Sequence, residues 1–131
     1  MEVLIVVVII SILAGLSIVY GTKPLEAAKA KAAKAMLQTI YAAEKEYCIH
    51  NDTYADLSAL IAERYLDDPN DPDQRDWSYS TPSVGGASPP NDCGTFTAEA
   101  SRQGTGHNFG ETITIDQDNG PPVCSTSEFG C

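Results

Sequence analysis

The sequence predicts an α+β fold in which a long N-terminal helix packs on a small antiparallel β-sheet. Three observations lead to this prediction: an uncharged apolar run at 3–20, an Ala- and Lys-rich helix-forming segment at 25–48, and alternating segments after Trp77. The chain has 131 residues, which leaves room for only one small head. We therefore predict an apolar helix at 1–24, and an amphipathic helix with its globular head at 25–131.

The apolar run is the most unusual segment of the chain. Its sequence is VLIVVVIISILAGLSIVY. A helix of this length rises roughly 27 Å, close to the ~30 Å hydrocarbon core of a bilayer. Because it is apolar all round, lipid or protein must cover every side of it. Gly15, Gly21 and Pro24 are positions where the helix can bend or lose hydrogen bonds, so we predict one long, interrupted helix.

Glu2 places a single carboxylate at the tip of this run. An ionisable group at the edge of an apolar helix is costly unless it reaches water or meets a cation. One interpretation is that Glu2 requires a charged partner. The other is that it lies at the interface and is favoured by the helix dipole.

The first 48 residues together resemble the mature N-terminal region of the type IV pilin and pseudopilin superfamily. The resemblance rests on an early Glu, an unbroken apolar helix and a following Lys/Ala-rich helix. It implies a type IV pilin-like fold and a homopolymeric helical filament. It also implies an inner-membrane form before assembly, a prepilin peptidase, a pilus assembly machinery, and an extracellular filament on the cell surface as the final location.

The resemblance also assigns roles to residues of the apolar helix. In that superfamily the early Glu is thought to pair with the N-terminal amine of a neighbouring subunit, and the matching residue here is Glu2. The apolar helices bundle in the filament core. The candidate assembly residues are Glu2, Val3, Leu4, Ile5, Ile9, Ile12, Leu13 and Leu16.

Charge is distributed unevenly along the chain, whose net charge is −10. The first 34 residues contain four lysines and two glutamates, whereas the remainder contains four basic and sixteen acidic groups. Because phosphate contacts need Lys or Arg, the acidic head argues against nucleic-acid binding by the subunit. The acidic residues favour solubility, and they allow attraction between a basic neck and acidic neighbours.

Four cysteines form an even set in a head that is expected to lie outside the cytoplasm, so disulfides are the natural interpretation. Three pairings are possible. We favour Cys124–Cys131, which closes a short C-terminal loop, together with Cys48–Cys93; a Cys93–Cys124 bond is the main rival. Each bond would contribute ~2–4 kcal/mol.

The head contains several weaker signals. In the second helix, Met36, Ile40, Ala43 and Tyr47 recur on one face, which should lie on the sheet. Asp56 is a candidate N-cap for a short helix that follows it. Strands are predicted near 77–79, 95–100 and 111–116, and the tail at 121–131 is predicted to be loop.

No chemistry-bearing constellation emerges from the sequence. There is no nucleophile elbow and no phosphate-binding loop, so we predict that the chain is not an enzyme and carries no cofactor. Two histidines and the absence of a CxxC pair argue against zinc. The acidic loop at 67–76 could supply oxygen ligands to calcium, but its spacing matches no established loop and its prolines favour a rigid turn.

Three functions are compatible with the sequence. The first is a structural subunit of an extracellular type IV pilus-like filament that polymerises through its apolar helix. The second is a type II secretion pseudopilin that forms a short periplasmic piston. The third, from a different class, is a membrane-tethered extracytoplasmic binding domain that stays monomeric.

Overall fold

A computed structural model describes residues 2–16, 23–72, 76–87, 92–104, 110–118 and 120–125. These residues form three helices and one four-stranded antiparallel sheet of order β1-β2-β3-β4. The helices are α1 (Glu2–Leu16), α2 (Lys23–Asn51) and α3 (Leu57–Ala62). The strands are β1 (Trp77–Gly85), β2 (Thr95–Arg102), β3 (Thr112–Asp116) and β4 (Val123–Cys124).

The predicted long apolar helix is wrong, and with it the pilin-like form of the fold class. The apolar helix α1 has only 15 residues and ends at Leu16, directly after Gly15. Glycine lowers helix propensity, and Pro24 fits the first turn of a new helix, so the sequence favours separate helices. The longer helix α2 has 29 residues but is rich in Lys and Glu. Gly21 lies outside the described residues.

Helix α2 packs one face on the sheet. Its buried apolar residues recur every three or four positions, as expected for one side of a helix. They are Ala30, Ala33, Leu37, Ile40 and Ala43. The predicted face is therefore correct at its centre, whereas Met36 and Tyr47 lie at its edges, half-buried against the core.

The inner face of the sheet supplies the other half of the core. Alternate residues of β2 and β3 are buried against α2, which is the pattern of a sheet with one covered face. They are Phe96, Ala98, Ala100, Ile113 and Ile115. Phe96 packs between the rings of Tyr41 and Tyr54, with ring centroids 5.9 and 4.7 Å away. The three predicted strands are thus present.

Two details of the sheet were not predicted. The edge strand β1 extends to Gly85 and changes register between Ser80 and Ser83, around Pro82. Proline cannot donate to the ladder, and an edge strand tolerates it at such an irregularity. The tail was predicted to be loop, but Val123 and Cys124 pair with β3. A two-residue strand carries too little alternation to be read from sequence.

Asp56 caps α3 as predicted. Its side chain accepts a hydrogen bond from the amide of Ala59 at 2.9 Å, which satisfies one of the donors left free in the first helical turn. The amide of Leu57 donates to the Thr81 hydroxyl of β1 at 2.8 Å. The cap defines the first turn of α3, and the Leu57 bond attaches that turn to β1.

The Cys48–Cys93 disulfide is confirmed. It joins the last turns of α2 to the segment before β2, with the two Cα atoms 5.8 Å apart. No described cysteine is free, so Cys124 carries no free thiol. The predicted partner of Cys124, Cys131, lies outside the described residues.

Candidate assembly surface

Helix α1 presents large aliphatic side chains in every direction. Residues 3–12 make almost three turns, and all of them are exposed. The nine large aliphatic residues among them keep 51–75% of their surface accessible. They are Val3, Leu4, Ile5, Val6, Val7, Val8, Ile9, Ile10 and Ile12. The described part of this chain therefore covers no side of α1 between residues 3 and 12.

The one polar side chain in this stretch does not create a polar face. The Ser11 hydroxyl donates to the Val7 carbonyl at 2.7 Å, one turn earlier in the same helix. A hydroxyl that is satisfied within its own helix can enter an apolar environment without losing a partner. The surface of α1 from Val3 to Ile12 is therefore suited to burial on all sides.

The predicted assembly residues fall on this helix. Val3, Leu4, Ile5, Ile9 and Ile12 belong to the exposed set, and four further aliphatic residues that the prediction did not single out share it. Glu2, Leu13 and Leu16 lie within α1, but their side chains are outside the described set. Among the described helices, none is both long enough and apolar enough to cross a bilayer.

A second feature, which the sequence did not predict, ties α2 to the sheet. Arg102 at the end of β2 donates to Glu26 at 3.1 Å and to the carboxylate of Asp76 at 3.1 Å. Lys29 bonds the same Asp76 oxygen at 3.1 Å. The bond from Lys29 holds the pKa of Asp76 below its ordinary value, with Arg102 adding to the effect. These four residues, the ion-pair cluster, come from the start of α2, from the residue before β1 and from the end of β2, so no local pattern reveals the cluster as a whole.

Glu44 is a buried residue that sequence reasoning missed. It is 0% exposed, and its Oε2 accepts a hydrogen bond from the Ala55 amide at 3.0 Å. Its spacing could have indicated its burial, because Glu44 follows Ile40 by one helical turn and adjoins Ala43 on the buried face. Because charged residues are rarely buried without a partner, the acidic side chain by itself indicates an exposed residue at this position.

The remaining surface of the described residues offers little for chemistry. A cavity of about 80 Å³ lies against β3 and β4, and Asp116 is its one ionisable lining residue. Within the described ranges no group of three or more His, Cys, Asp or Glu is placed to hold a metal ion. The most distinctive surface of the described chain is therefore α1.

No protein-family model, no curated protein and no solved structure matches the chain. The resemblance to type IV pilins accordingly rests on the sequence features of the first 48 residues. The geometry of α1 and of the head provides the physical basis for a functional proposal.

Proposed function

We propose that the chain is a structural subunit of an extracellular type IV pilus-like filament. The observation that carries the proposal is the exposed aliphatic surface of α1 between residues 3 and 12. Contiguous apolar surface of this size marks an interaction site in a soluble protein. Copies of the same helix provide the matching apolar surface, and homo-oligomers are the commonest assemblies of soluble chains.

The energetics support burial among copies. Full burial of a large aliphatic side chain is worth ~1.5–3 kcal/mol. Because the nine residues are already partly covered by their own helix, completing their burial yields on the order of 10 kcal/mol per subunit. This gain exceeds the lower estimates for the loss of translational and rotational freedom on association.

The head is suited to remaining folded while α1 changes its surroundings. Its core lies between α2 and the sheet, and the described residues of that core do not include any from α1. A disulfide and the ion-pair cluster tie the head together independently of α1. Assembly through α1 therefore leaves the head as a soluble, acidic outer layer.

A matched pair of substitutions tests the proposal. Ile9→Asp puts a charge on α1, whereas Ile49→Asp puts the same charge at an isoleucine of α2 that is 78% exposed. Detergent-free preparations of the native chain and of I49D should contain filaments visible by electron microscopy, while I9D stays dispersed with a folded head. Filaments in I9D as abundant as in the native chain, or no ordered assembly of the native chain, would refute the proposal.

Glu2 receives a more specific role within this proposal. As the residue that matches the early Glu of pilins, it sets axial register by pairing with the terminal amine of a neighbouring copy. Glu2→Gln keeps the size and removes the charge, so it should prevent ordered filaments while leaving the head folded. Regular filaments of unchanged subunit spacing from E2Q would remove Glu2 from the account, without affecting the role of the aliphatic residues.

A further inference from the structure

Glu44 has an unusual position for an ionisable side chain. It lies on the inner face of α2, and its carboxyl group points to the connection between α2 and α3. One oxygen accepts from the Ala55 amide at 3.0 Å. The other oxygen, Oε1, is buried and has no hydrogen-bond partner among the described residues. The carboxyl group is therefore only half satisfied.

The elements packed around Glu44 provide no compensating cation within the described residues. The inner residues of β2 and β3 are apolar. The ammonium group of Lys45, the next residue on α2, donates to the Tyr54 hydroxyl at 2.7 Å and to the Gln117 carbonyl at 3.2 Å. The carboxylate of Asp56, in the connecting loop, acts on Glu44 as a like charge. At the end of α3, Glu63 is another acidic group, and its carboxylate accepts a hydrogen bond from the Tyr47 hydroxyl.

These surroundings disfavour the ionised form of Glu44. A buried carboxylate with one hydrogen bond loses much of its hydration without replacement. Burial raises the pKa of Glu44 from 4.5 to about 7; the hydrogen bond from Ala55 opposes this shift, and the charge of Asp56 adds to it. Near neutral pH the carboxyl is therefore poised between its two forms.

We propose that Glu44 is a proton-controlled latch, which holds the connection at 54–56 and α3 against α2 while protonated and releases them when ionised. Release lets the carboxylate reach water and uncovers Leu57 and Leu60 of α3. The opening is local, because the Cys48–Cys93 disulfide keeps the end of α2 attached to the segment before β2. The latch does not depend on whether the chain assembles through α1.

The direction of the pH effect follows from linkage. In the open form Glu44 is hydrated and titrates near its ordinary value of 4.5, whereas in the closed form it titrates near 7. Between these values the open form binds fewer protons, so the open fraction rises about tenfold per pH unit. Below this window both forms are protonated, and above it both are ionised, so the open fraction becomes independent of pH.

Hydrogen exchange on the intact, oxidised chain tests the latch. The reporters are the amides of Ala55 and Leu60, which donate to Glu44 and to the Asp56 carbonyl, and the reference is the central strand β2. After correction for intrinsic rates, exchange of the reporters should rise roughly fortyfold from pH 5 to pH 7, because the response flattens at both ends of this range. Exchange of β2 should change far less, and the reporters should level off above pH 8.

Two variants separate the latch from general pH effects. Glu44→Gln cannot ionise, so its reporter exchange should be independent of pH over the same range. Glu46→Gln removes an exposed acid from the same helix and should keep the native pH dependence. The proposal is overturned if the native reporters do not respond to pH, or if E44Q keeps the response. Should E44Q fail to fold, a carbon-13 titration of Glu44 in the native chain decides: a midpoint near 7 supports the latch and one near 4.5 overturns it.

Discussion

Helices α1 and α2 both carry aliphatic residues, but among the residues that the structure describes α2 has its apolar face covered and α1 does not. Leu37 and Ile40 of α2 are fully buried against the sheet, whereas Ile9 and Ile12 of α1 remain more than half exposed. The head thus buries the apolar face of its main helix by itself, whereas α1 leaves its aliphatic residues between 3 and 12 exposed. The hydrophobic driving force carried by α1 is therefore available for contacts outside the described residues.

The largest expected effect on the free energy of unfolding comes from truncating a large apolar side chain in the core of the head, compared with the same kind of truncation on α1. Phe96→Ala removes a fully buried ring between Tyr41 and Tyr54 and should lower the free energy of unfolding of the head by about 3–5 kcal/mol. Ile9→Ala should change it by less than ~0.5 kcal/mol, because α1 contributes no described residue to the core. Denaturant unfolding followed by the fluorescence of buried Trp77 measures both. A large loss of stability in I9A would show that α1 contributes to the stability of the head.

The disulfide should have the next largest effect. Replacing Cys48 and Cys93 together by Ala frees a cross-link between residues 45 apart in sequence and should cost about 2–4 kcal/mol. Ile49→Ala, at an exposed neighbour of Cys48, is the control and should be nearly neutral. The same unfolding experiment applies. If the doubly substituted head were as stable as the native head, the disulfide would add nothing to the free energy of unfolding.

The ion-pair cluster should contribute less than the disulfide. Arg102→Met keeps much of the side-chain volume but leaves Glu26 and Asp76 without their guanidinium partner, which should cost about 1–3 kcal/mol. Arg64→Met, at an exposed arginine, should change the unfolding free energy by less than ~0.5 kcal/mol. Equal effects of the two substitutions would show that the cluster adds no net stability.

Acid should produce the smallest effect through Asp76. Its pKa is lowered in the folded head, first by Lys29 and then by Arg102, so its contribution is present above about pH 3.8 and is lost as pH falls. Because Asp76 is half exposed, the contribution should stay below ~1 kcal/mol. Asp76→Asn should reduce the fall in unfolding free energy between pH 4 and pH 2. An unchanged fall in D76N would assign the acid sensitivity to other carboxyl groups.

The parts of the fold that could be predicted are those that a local sequence pattern indicates. The spacing of Ile40 and Ala43 indicated the inner face of α2, Asp56 marked the start of α3, and alternation marked β2 and β3. The Cys48–Cys93 bond was chosen correctly from three pairings. In each case a short stretch or a small set of alternatives carried the information.

The parts that could not be predicted depend on opposing local preferences for helix length or on contacts between residues that are distant in sequence. The apolar run led to the prediction of one long, interrupted helix, but hydrophobicity does not by itself decide where a helix ends, and α1 ends at Leu16, next to Gly15. The pairing of Arg102 with Glu26 spans 76 residues and leaves no local trace. The candidate surface on α1 was visible as composition, whereas its exposure on every side required the three-dimensional arrangement.

Electron cryomicroscopy of detergent-free native material tests most directly whether α1 is buried by copies of itself. We expect a repeating array in which each α1 is surrounded by the same helix of other subunits, with side chains of residues 3–12 within ~4 Å of one another. Isolated subunits, or an array in which α1 meets only solvent or lipid, would show that copies of α1 do not bury one another.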